Sequence, residues 1–127
     1  FLMLKLKVLG SSSSGNCYLI EAENSKLILD AGVNFKDAQK ALNFDFKSVQ
    51  GVLVTHKHMD HLKYAPNFAM NGVDVYASAG TFLKLDLKGH RFKVVQALQQ
   101  FTIGDFTILP FDTQHDAAEP LRIFNTI

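Results

Sequence analysis

The run GVLVTHKHMDH (51–61) constrains the fold more than any other stretch of this 127-residue chain. Its first half is a β-branched apolar run of the kind found in a strand buried on both faces, and such a strand needs helices packed on at least one side of its sheet. Its second half places His56, His58, Asp60 and His61 within seven positions, although the chain has only 5 histidines in all. In a helix His56 and His58 would project about 200° apart. In an extended segment a two-residue step puts them on the same side. The histidines therefore belong at the end of the strand, where open α/β sheets place their sites.

The flanking sequence supplies the remaining elements. MLKLKVLG (3–10) alternates apolar and charged residues, the pattern of a strand with one buried face, and SSSSGN (11–16) breaks it. CYLIEA (17–22) and KLILDA (26–31) read as two strands joined by a short hairpin through ENS, giving an antiparallel opening. Phe35, Ala38, Ala41 and Leu42 fall at helical spacing, with Asn34 as a candidate cap. HLKYAPNFAMNG (61–72) reads as a helix started or interrupted by Pro66 and closed by Asn71-Gly72. VDVYA (73–77) is a strand candidate, and SAGTFLKLDLKG (78–89) a helix with Ser78 as cap and Gly89 as stop. FKVVQA (92–97), QQFTIG (99–104) and DFTILPFDT (105–113) complete the strands, the last two joined by a tight Gly104-Asp105 turn. The expected class is mixed α/β (α+β), one domain over residues 1–127, with antiparallel hairpins at both ends.

Composition narrows the function classes. A net charge of +1 gives no footprint of a dedicated nucleic-acid-binding module, so any such role must come from a site. No apolar run approaches the roughly 18 residues of a membrane span, and the first residues lack signal-peptide character. The single cysteine, Cys17, cannot form an internal disulfide and reads as a small buried residue in a strand. A soluble cytoplasmic protein with no membrane partner is the expectation.

Imidazoles and carboxylates at this spacing match the nitrogen and oxygen ligand set of Zn²⁺ and similar divalent ions. A further histidine, His115 in FDTQHDAAEP, again lies just past a strand-like run and can complete a three-imidazole site begun by His56 and His58. His90 sits in a Lys-Gly-His-Arg turn and is expected to be exposed. Lys57 and Met59 alternate with the ligands and should face away from an ion. Asp116 and Glu119 could touch a substrate or order their loop. The SSSSGN loop could cradle a phosphate through its amides, but it lacks the lysine and spacing of a P-loop and reads more simply as a connection packed beneath the site.

THKHMDH resembles the His-x-His-x-Asp-His signature of the metallo-β-lactamase superfamily, metal-dependent hydrolases built as an αβ/βα sandwich. GSSSSGNCYLI, LILDAG and HDAAEP, in that order, resemble the YycJ/WalJ-like exonuclease and phosphodiesterase branch. The resemblance implies that His56, His58 and His115 hold a first ion and that Asp60 and His61 begin a second, Zn²⁺ or Mn²⁺, one or two per site. It implies that Asp30 of LILDAG supports those ligands from behind, against the plainer reading of a turn-forming aspartate. Asp60 would also orient the attacking water, and a nucleic acid or another phosphodiester is the implied substrate.

The superfamily pattern further includes a bridging acidic residue and a final histidine beyond the third motif, and here only LRIFNTI follows HDAAEP. The expectation is therefore about the N-terminal half of the sandwich, self-associating to cover an exposed sheet face. The alternatives are a metal-binding fragment without turnover, or a thioester or lactone hydrolase of the same fold.

Overall fold

In the computed structural model, residues 4–12, 15–54, 64–96, 99–110 and 121–125 are described. Nine strands and three helices lie among them: β1 (Lys5–Ser12), β2 (Gly15–Glu21), β3 (Lys26–Leu29), α1 (Phe35–Ala41), β4 (Val49–Leu53), α2 (Ala65–Met70), β5 (Val75–Ala77), α3 (Ala79–Lys84), β6 (Phe92–Val94), β7 (Phe101–Ile103), β8 (Phe106–Pro110) and β9 (Leu121–Asn125). The strands form a six-stranded sheet in the order β1-β2-β3-β4-β5-β6 and a three-stranded sheet in the order β7-β8-β9. β1, β2 and β3 pair antiparallel, while β3, β4, β5 and β6 run parallel.

Side-chain alternation along β4 divides the core. Val49, Val52 and Val54 join the cluster under the helices, with Cys17, Leu19, Ile28, Phe68 and Val75. Leu53 points the other way, with Ile20 and Leu27, against Ile103, Phe106 and Ile108 of the second sheet. This is the doubly buried strand that its sequence requires. On the helical side, Phe35, Phe46 and Phe68 pack ring against ring, with centroids 5.1 to 6.1 Å apart, in the edge-on and offset arrangements that aromatic quadrupoles favour.

Local chemistry sets the helix starts. Asn34 accepts from Lys36 N–H and Ser78 from Thr81 N–H, the two caps expected from sequence. Pro66 lies in the first turn of α2, where its missing N–H costs nothing, so it starts that helix and does not interrupt it.

Three expectations need correction. The serine run does not break β1: the strand continues to Ser12 and pairs Ser11 with Asn16 and Ser12 with Gly15, because the hairpin ladder extends into it. Helix α3 ends at Lys84, well before Gly89, because Asp86 takes a left-handed φ of 54°. The apolar face of MLKLKVLG is not buried. Leu6 pairs with Ile20 and Val8 with Tyr18, so they lie on the face that carries the second sheet. Yet Leu6 is 64% and Val8 57% exposed.

Candidate functional site

The second sheet is pinned at the amino ends of β3 and β4. Ser25 donates to Asp105 Oδ2 at 2.5 Å, and the Gly104 turn, with φ of 54°, lies against the Gln50 side chain. From that turn β8 leads away, with Phe106 and Ile108 packed in one cluster with Leu27 and Leu53.

At the opposite rim, the carboxyl ends of β3 and β4, Asp30 follows β3 directly. Its backbone N–H donates to Leu53 O at 2.9 Å, its φ is 63°, and the residue is 3% exposed. The left-handed conformation costs an ordinary L-residue roughly 1–2 kcal/mol, and aspartate is among the few that adopt it routinely. Asp30 is therefore both a turn former and a buried carboxylate. Its charge, after burial itself, helps push the Cys17 thiol up to about 12. Cys17 is accordingly a protonated core residue, as its sequence position suggests.

Both feet of the histidine-bearing segment stand beside Asp30. Val54 N–H, the last described donor before it, bonds Tyr76 O on β5 at 2.9 Å, and Tyr64 N–H, the first after it, bonds Ala31 O at 2.8 Å. The β1–β2 hairpin reaches the same rim, since Tyr18 pairs with Leu29 and residues 15–17 extend past the end of β3.

The expected ligands His56, His58, Asp60, His61 and His115 lie outside the described residues, as do Lys57, Met59, Asp116 and Glu119. Among the described residues no group of three or more His, Cys, Asp or Glu side chains could hold a metal ion. His90 is exposed, as its turn sequence implies. None of the described helices is long and apolar enough to cross a membrane. Sequence reasoning passed over Tyr76 and Phe101, whose rings stack with centroids 5.8 Å apart. The only sequence signal was an aromatic residue closing the glutamine-rich QALQQF.

Comparison with known proteins agrees with this architecture. The family model described as metallo-beta-lactamase superfamily matches residues 11–110. Exodeoxyribonuclease YycJ of Bacillus anthracis is 32% identical over 130 residues, covering 93% of this chain and 48% of the relative. Exodeoxyribonuclease WalJ of Streptococcus pneumoniae is 31% identical over 127 residues, covering 91% and 47%. The metallo-beta-lactamase fold protein YhfI from Bacillus subtilis superposes with a TM-score of 0.71 at 19% identity, over 96% of this chain and 58% of that one. The chain spans about half the length of the curated relatives it matches. By the extent of the family match and the sandwich that carries it, the chain belongs to the metallo-β-lactamase superfamily.

Proposed function

We propose that this chain carries the metal-binding part of a metal-dependent hydrolase that cleaves phosphodiesters, DNA first among them. The observation that supports the reading most is the anchoring of both ends of the histidine segment beside a buried aspartate. The relatives named as exodeoxyribonucleases favour DNA over other esters.

The donor set suits a divalent cation: His56, His58 and His115 would hold one ion, and Asp60 with His61 would begin a second site. When bound, such ions supply Lewis acidity that brings the pKa of a water to about 7 and neutralises charge on attacking and leaving oxygens. Asp60 orients the attacking water by accepting its hydrogen bond. Asp30, held among the ends of β3 and β4, serves as a buried acceptor that fixes imidazole tautomer and orientation. Self-association belongs to the same proposal, with the uncovered face of β1 meeting a second copy.

A second reading is a metal-binding unit without turnover. The separating experiment incubates the chain with Mn²⁺ or Zn²⁺ and end-labelled linear DNA. Release of mononucleotides, abolished by chelator and by His58→Ala, is expected. Bound metal with no release from DNA, and turnover of thioesters or lactones instead, would transfer the chain to another hydrolase class; bound metal with no turnover at all would favour the second reading.

A further inference from the structure

The crossover from the first sheet to the second builds a cavity that the metal-site reading leaves unused. Val95 N–H extends the β6 ladder to Ala77 O at 2.9 Å, and Gln99 N–H closes a turn on Gln96 O at 3.3 Å. Inside the bend lies a cavity of about 290 Å³ lined by Tyr76, Phe101, Gln96, Gln99, Gln100 and Thr102, among others. Tyr76 and Phe101 stack with an interplanar angle of 21°. Burial first, and the neighbouring Asp74 carboxylate second, push the Tyr76 phenol up, so it stays a neutral donor.

Two features define what such a cavity can take. The stacked aromatic pair offers a surface for a flat ligand. Three glutamine amides and a threonine hydroxyl offer both donors and acceptors, and no charged side chain is among the described lining residues. Among the described lining residues a phosphate or carboxylate finds no cation. A nucleobase meets each requirement, having a π-face, an edge of mixed donors and acceptors, and no charge.

Position completes the argument. Tyr76 O accepts from Val54 N–H, so the backbone that carries one wall of the cavity lies one strand away from the last described residue before the histidine segment. Neighbouring strands lie about 4.8 Å apart. We infer that this glutamine-lined cavity is a nucleobase subsite, which holds the base of the nucleotide whose phosphodiester is presented at the rim. The inference rests on the phosphodiesterase reading and specifies its substrate: a nucleic acid with an unpaired terminal base, free to leave its partner strand.

The test is a titration of the isotope-labelled chain, without metal, by dAMP, by deoxyribose phosphate and by inorganic phosphate, read on glutamine side-chain amide resonances. Signals from Gln96, Gln99 and Gln100 should move with dAMP and remain still with the other two. Phe101→Leu, which keeps apolar bulk and removes the ring, should weaken dAMP binding about tenfold. The exposed pair Gln96→Ala with Gln100→Ala, which leaves the aromatic packing intact, should weaken it comparably. Still amide signals at millimolar dAMP, or equal movement with deoxyribose phosphate, would overturn the subsite. If DNA is nevertheless degraded, the subsite alone falls; if dAMP binds here and DNA is untouched, the hydrolase reading falls and the subsite remains.

Discussion

At Gly51 the two sheets approach so closely that a methyl group has no room. A Cβ there would meet Tyr76 Cε1 at 2.8 Å and Ile103 Cγ2 at 3.1 Å. The Tyr76 ring cannot swing aside freely because it is stacked on Phe101. Gly51→Ala should therefore destabilise the protein by about 1–3 kcal/mol, the usual cost of overpacking, and lower its urea midpoint. An unchanged midpoint would show that the sheets separate more easily than this packing implies. The sequence marks GVLV as a buried strand but gives no sign that its first position must be glycine, since the obstructing side chains, Tyr76 and Ile103, arrive from β5 and β7. Asp30 is similar: LILDAG shows a turn, whereas its burial depends on β4 and on the hairpin that carries Cys17.

Elements whose signals are local were legible. Asn34 and Ser78 cap their helices through bonds two and three residues away, and the Gly104-Asp105 turn joins strands that pair residue for residue from Ile103 and Phe106 outward. Elements whose ends depend on distant partners were not, as with α3 and the extended β1–β2 ladder. β1 is the instructive case. Its period-two pattern correctly marks an apolar face, but pattern alone cannot tell what lies opposite, and Leu4, Leu6 and Val8 remain exposed beside the second sheet. β1 is also the edge of its sheet, and an exposed apolar edge strand is a template for pairing. The chain should sediment at twice its own mass, and Leu6→Lys with Val8→Lys should return it to a single-chain mass. A wild-type chain that sediments singly and binds no apolar dye would exclude association through this face.

Across the whole molecule, the first sheet gathers separate stretches of sequence at one rim: the end of β3 with Asp30, both feet of the histidine segment, residues 15–17 of β2, and the ends of β5 and β6 that border the crossover cavity. The histidine spacing carries an expectation of a shared side, drawn from the two-residue step at a strand end, and residues 55–63 lie outside the described residues. The cavity was not legible in the sequence, because its aromatic wall comes from β5 and β7 in different sheets. The central claim is that side chains from 56, 58 and 115 converge on one divalent cation. The measurement that bears on it most directly is zinc stoichiometry by equilibrium dialysis for wild type, His58→Ala, His115→Ala and the exposed control His90→Ala, each with its fold checked by circular dichroism. At least one tightly held ion per chain is expected for wild type and His90→Ala, with loss in both other variants. Undiminished zinc binding by a folded His115→Ala would contradict the claim.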